Sequence, residues 1–343
     1  MITPRIISPL DRELNVLETM GRMKHSVILS GFLAGVLCSS IAMASSESFP
    51  VPILQKSGTK VTLLDTFFLD TQKGWAVGAG GTILRTEDGG ANWKAMPRRT
   101  PALLMSVYFP DETHGWVIGQ NGTILHSRDG GIKWWPQTSG TMSPLYGVFF
   151  RDHNHGWIVG GRGTILHTQD GGQTWEDQPS GTSADLFGVQ FLDAQQGWVV
   201  GALGVILTTT DGGQHWVRQP TNSATTFFDI QFLDKQVGWV VGTQGSIFQT
   251  ITGGEQWLDK TRPCGSPCIR PPDFLKIRFT GFRNGWIIGE RGAFLVTNDA
   301  GFIWNEPELP EPYSLYGLSF PEPHTGWAVG DHGTILKISA PGS

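Results

Sequence analysis

The chain has 343 residues, a formal net charge of −5, and 46 glycines, about twice the usual share. Moderate apolar content, low charge and dense Gly fit one compact domain of many short strands and tight turns. No linker or low-complexity segment marks off a second domain, and the lack of a basic run or stripe excludes a nucleic-acid partner.

The N-terminus differs in kind from the rest. Met23-Lys24-His25 precedes an apolar run from Ser26 to Met43 that ends in Ala42-Met43-Ala44, the small-residue pattern of a signal peptidase site. Residues 1–44 therefore read as a leader with translation starting at Met20 or Met23, and residues 45–343 as a single exported domain. The competing reading of the run is a retained membrane anchor. Bulky Leu37 directly before Cys38 argues against a lipid attachment signal. A periplasmic or lumenal location is expected.

Gly-Trp pairs then recur at Trp75, Trp116, Trp157, Trp198, Trp239, Trp286 and Trp327, a period of 41 residues with one interval of 47. Such a period points to stacked supersecondary units. In the fourth unit, Leu186–Phe191 reads as a strand buried on both faces, Gly197–Gly201 as a second and Val205–Thr209 as a third. The Asp211-Gly212-Gly213 turn then leads into a fourth strand carrying Trp216. Four short antiparallel strands per unit is the pattern of a propeller blade. Helical repeats are disfavoured, because no stretch spaces apolar residues at 3.6 and Gly is everywhere.

Six units carry the phrase Ser/Thr, any residue, Asp-like, Gly/Ala, Gly, two variable residues, Trp. Its carboxylates, Asp88, Asp129, Asp170, Asp211 and Asp299, are placed to accept hydrogen bonds from turn amides, with glycines supplying the backbone angles. The following Trp covers the turn. The fifth copy has Thr252 where the others have Asp, which suits a structural role and not a catalytic one.

The longer interval holds Cys264 and Cys268, separated by Gly265-Ser266-Pro267. In an oxidising compartment this pair is expected to form a local disulfide pinning an exposed loop. A metal site would need further ligands, and no His lies nearby, so no metal or other cofactor is expected.

The seventh unit supplies three strands, Leu315–Phe320, Gly326–Gly330 and Thr334–Ile338, and then the chain stops. Gln55-Lys56-Ser57-Gly58-Thr59 precedes the first unit as Gln178-Pro179-Ser180-Gly181-Thr182 precedes the fourth. Residues about 50 to 57 are therefore expected to complete the last blade. The fold predicted is an all-β, seven-bladed propeller of four-stranded antiparallel blades closed by an N-terminal strand.

The phrase Gly-Trp-Ile-Val-Gly, Gly-Thr-Ile-Leu and Thr-x-Asp-Gly-Gly-x-x-Trp, as at Gly156 to Trp175, resembles the photosystem II stability/assembly factor family of Asp-box propellers. The resemblance covers residues about 50 to 338. It implies a non-enzymatic, monomeric binding scaffold for a protein partner: a membrane protein or its exported segment, met during assembly of a complex.

Two places are candidates for binding. Propellers usually present ligands on the face built by the second-to-third-strand turns and the interblade loops. Here the turns vary within a fixed frame: Ala79-Gly80, Gln120-Asn121, Gly161-Arg162, Ala202-Leu203, Thr243-Gln244, Glu290-Arg291 and Asp331-His332. Arg162 and Arg291 with loop residues Arg98, Arg99, Arg262 and Arg270 form a modest basic group suited to a carboxylate-bearing surface. The second place is the central channel, which the first strands line with Asp65, Asp229, Lys276 and Arg278, and where an Asp–Lys pair is expected.

The alternative class is an Asp-box glycoside hydrolase or glycan-binding propeller of sialidase type. That chemistry needs paired carboxylates, or a Tyr with its Glu, beside an arginine cluster. No acid pair stands out from the repeat frame. Tyr146 and Tyr316 hold a packing position filled elsewhere by Phe187 and Phe228. His126 and His167 hold strand positions filled elsewhere by Arg85 or Gln249, and His153 and His155 read as solvated loop residues. No catalytic residue is assigned.

Overall fold

The computed structural model describes residues 51–262 and 270–339. The leader and the Cys264–Cys268 loop lie outside the described residues.

Each unit forms one sheet, and seven sheets stand in a ring. In blade 4 the strands Leu186–Phe191, Gly197–Gly201, Ile206–Thr209 and Val217–Arg218 pair antiparallel in chain order. Leu315–Glu322, Thr325–Gly330 and Ile335–Ser339 supply three strands of blade 7, and Ile53–Gln55 the fourth. Ile53 lies opposite Lys337, Leu54 opposite Leu336 and Gln55 opposite Ile335, so the N-terminal closure expected from sequence is present.

Aromatic rings hold neighbouring blades together. The indole of each Gly-Trp pair meets the Phe that ends the next blade's first strand, as in Trp75 on Phe109 at 3.6 Å, Trp116 on Phe150 at 3.6 Å and Trp198 on Phe232 at 3.7 Å. In blades 1 to 6 that Phe also takes its own blade's Asp-box Trp edge-on, as Phe232 takes Trp257 at 5.9 Å. The chain of contacts closes where Trp327 stacks on Phe68 at 3.7 Å. The glycine before each such Trp leaves room for the Phe of its own blade: a Cβ on Gly197 would sit 2.5 Å from the Phe191 ring. Stacked and edge-on geometries add roughly 0.5–1.5 kcal/mol per pair beyond area burial.

The Asp-box turns share one hydrogen-bond pattern. Thr209 Oγ1 donates to Asp211 Oδ1 at 2.8 Å and accepts from Gly213 N at 2.8 Å, while Asp211 Oδ1 also accepts from His215 N at 3.0 Å. Asp88, Asp129, Asp170 and Asp299 bond their own turns in the same way. In blade 5, Thr252 Oγ1 accepts from Gln256 N at 3.0 Å, so a hydroxyl keeps the turn where the carboxylate is missing.

Blade 6 departs from the four-stranded expectation. Its sheet has three strands, Phe274–Phe279, Gly285–Gly289 and Phe294–Thr297, and the fourth shrinks to a single bridge between Val296 and Asn305. Elsewhere the residue after the bridge region donates its N–H back to the third strand: Gln178 to Ile165, Gln219 to Ile206 and Lys260 to Ile247. The matching residue in blade 6 is Pro307, which has no N–H to give.

Candidate functional site

Strand alternation puts the second-to-third-strand turns and the interblade loops on one rim, and the Asp-box turns on the other. On the first rim, backbone bonds tie the turns of blades 1, 2, 4 and 6 to the loop that follows the blade, as Gly81 N donates to Ala102 O at 2.9 Å and Gly204 N to Thr225 O at 2.7 Å. A Cβ at Gly81 would fall 1.8 Å from Thr100 O, so this turn position excludes side chains.

The residue just before that glycine is held in the left-handed region in all seven blades: Gly80, Asn121, Arg162, Leu203, Gln244, Arg291 and His332 lie at φ 53–61. Six of these are not glycine, and each bears a strain of roughly 1 kcal/mol or more. Loop side chains help hold the conformation: Asp185 accepts from Arg162 N at 2.9 Å and Asp273 from Gln244 N at 2.8 Å. One backbone shape thus presents seven positions with different side chains around a rim.

The sequence-predicted arginines all belong to this rim but sit at three places on it. Arg98 and Arg99 follow blade 1, Arg162 belongs to blade 3, and Arg262, Arg270 and Arg291 cluster between blades 5 and 6. Arg262 Nη1 donates to Glu306 at 2.6 Å, and Arg291 Nη2 donates to the carbonyls of Arg270 at 3.2 Å and Pro271 at 2.8 Å.

Inside the ring, third- and fifth-position side chains of one first strand reach the next blade. Asp65 Oδ2 accepts from Ser106 Oγ at 2.7 Å and Val107 N at 3.1 Å. Gln190 brackets Phe232, and Gln231 brackets Phe279, each amide donating to one backbone carbonyl and accepting from its N–H. Ser319 Oγ accepts from Phe68 N at 2.9 Å across the closure. Sequence reading did not show these clamps, because their partners lie 41 or more residues away.

The expected Asp–Lys pair is corrected. Asp229 Oδ2 accepts from Ile277 N at 2.9 Å and from Arg278 Nη1 at 2.5 Å, so the arginine two residues on takes the place proposed for Lys276. The aim of Asp229 at a backbone N–H fixes its direction, and the longer guanidinium side chain reaches it. Lys276 lines the channel and makes no hydrogen bond or ion pair among the described residues.

Histidines on the third strands are structural. His126 and His167 stand opposite Trp116 and Trp157 in register and stack on them, with centroids 4.4 and 4.7 Å apart. His153 is exposed as read from sequence, whereas His155 Nδ1 contacts Asp152 at 2.8 Å. Burial lowers both His126 and His167 to about 4, helped by Arg128 and His114 for the first and by His155 and Arg151 for the second. Both are neutral in the fold and protonate near the ordinary 6.5 when it opens, so their stabilisation is complete above pH about 6.5 and is lost as pH falls towards 4. The melting temperature is expected to fall between pH 6.5 and 4.5. His126→Gln with His167→Gln, copying Gln249 of blade 5, flattens that slope; an unaltered slope would assign it to other groups.

A family model described as Photosynthesis system II assembly factor YCF48 matches residues 135–224 and 217–313, together just over half of the chain. A solved structure titled YCF48 bound to D1 peptide matches at TM-score 0.70 and 21% identity, over 87% of this chain and 99% of that one. YCF48 from Cyanidioschyzon merolae matches at the same TM-score and identity, over 84% and 99%. A GH74 enzyme from Niastella koreensis matches at TM-score 0.65 and 11% identity, over 84% of this chain and 54% of that one. At these identities the structural likeness is one of fold. No curated protein matches.

Proposed function

The chain belongs to the Photosynthesis system II assembly factor YCF48 family, and from that premise we propose that it is an exported, non-enzymatic scaffold that holds a segment of a membrane protein during assembly of its complex. The observation that carries this reading is the rim of strained turns. A backbone conformation kept in all seven blades while its side chain changes is a display surface, because the positive φ by itself favours glycine there. The related structure titled as bound to a D1 peptide supports a peptide-like partner.

The channel chemistry argues in the same direction. A sialidase-type site needs free acids or an activated Tyr. The buried carboxylates Asp65 and Asp229 each give Oδ2 to the adjoining blade, and burial pushes the Tyr108 hydroxyl up to about 12, away from nucleophile behaviour.

Exchange of Arg162 and Arg291 for Glu tests the display surface. Both side chains are on the rim, and reversing their charge is expected to lower recovery of a membrane protein partner in pull-down by about tenfold, while the melting temperature stays within a few degrees. Recovery equal to the unaltered chain would remove the arginines from the binding surface.

A further inference from the structure

The channel and the rim are separate places. Third- to sixth-position residues of the first strands enclose a cavity of about 380 Å³, within the roughly 300–1,000 Å³ of small-molecule sites. These positions lie towards the Asp-box end of the ring, away from the turn rim.

Its walls are unlike. On blades 1 to 3 the fifth position is Phe67, Tyr108 and Phe149, an aromatic ladder with centroids 5.0 and 5.4 Å apart. Facing it, blade 6 contributes Lys276 and Arg278. Of the channel acids, Asp229 is paired with Arg278 and also accepts from Ile277 N, while Asp65 accepts from Ser106 and Val107 through Oδ2. Among the described residues, Lys276 Nζ, the Tyr108 hydroxyl and the Arg278 nitrogens other than Nη1 have no partner in the chain. Uncommitted donors thus stand opposite and beside apolar rings, and each channel acid already has its Oδ2 engaged by the adjoining blade.

We infer that the channel binds a small carboxylate with an aromatic or alkyl body, its charge held by Lys276 and Arg278 and its body laid on Phe67, Tyr108 and Phe149. A purely structural channel would pair Lys276 as it pairs Arg278, and that is not the arrangement found.

Titration calorimetry of the full chain with 3-phenylpropionate tests this, with 3-phenylpropionamide as the neutral analogue. Saturable binding of the carboxylate is expected. The amide, and the carboxylate on Lys276→Met, are each expected to bind about ten- to a hundredfold more weakly, the effect of losing one charge-assisted hydrogen bond. Lys94→Met, on an exposed outer strand, leaves affinity unchanged. Absence of saturable carboxylate binding overturns the inference, as does equal affinity for the amide. So does unchanged affinity in Lys276→Met, and the amide comparison holds even if that variant folds poorly.

Discussion

Trp198→Ala is expected to cost about 3–5 kcal/mol, the range for a large aromatic removed from a packed core. The indole is fully buried, stacks on Phe232 at 3.7 Å and donates through Nε1 to Gly253 O at 3.4 Å. Its loss empties the seam between blades 4 and 5 and orphans the ring that Trp257 also uses. Trp135→Ala is the control: that side chain is 46% exposed outside the seam, so its loss stays within about 0.5 kcal/mol. Denaturant unfolding measures both. A Trp198 effect below about 1 kcal/mol would mean that the aromatic chain is not what joins the blades.

Removal of residues 49–57 is expected to lower the melting temperature by at least about 5 °C and to make the chain self-associate. The segment pairs Ile53–Gln55 with the last strand, and Gln55 Nε2 donates to Gly89 O in the Asp-box turn of blade 1 at 2.9 Å. Ser57 Oγ meanwhile holds the turn at Thr59 on which Gly333 packs. Each lost hydrogen bond is worth about 1 kcal/mol, and the bared Ile335–Ser339 edge becomes a template for another strand. Because Ile53 and Leu54 are 62% and 53% exposed, the loss comes from pairing more than from apolar burial. Scanning calorimetry with light scattering checks it; an unshifted transition without association would contradict closure by this segment.

The ring itself was legible because it is written in repeats. Glycine, tryptophan and turn residues return every 41 residues, and the strand bounds at Leu186–Phe191 and Gly197–Gly201 follow from them directly. What periodicity hides is contact between units. The Asp-box Trp reads as a cover for its own turn, yet its edge-on partner is the Phe that also receives the previous blade's indole. The loss of a strand in blade 6 turns on one residue, Pro307, whose consequence shows only when the matching N–H groups of other blades are seen to be used. Similarly, the sequence pairs an Asp with Lys276, and only the direction of the Asp229 carboxylate, set by Ile277 N, shows that Arg278 takes that place. The rim was legible as variation in a fixed frame, but the left-handed backbone beneath it was not, since Arg, Leu and Gln do not announce positive φ.

The most direct test of a display rim is site-specific photo-crosslinking in the native host. A probe at Leu203, 66% exposed on the turn rim, is compared with one at Ile132, 52% exposed on the Asp-box rim. The account predicts that Leu203 captures an exported segment of a membrane protein and Ile132 does not. Capture of that protein from Ile132 alone would contradict it.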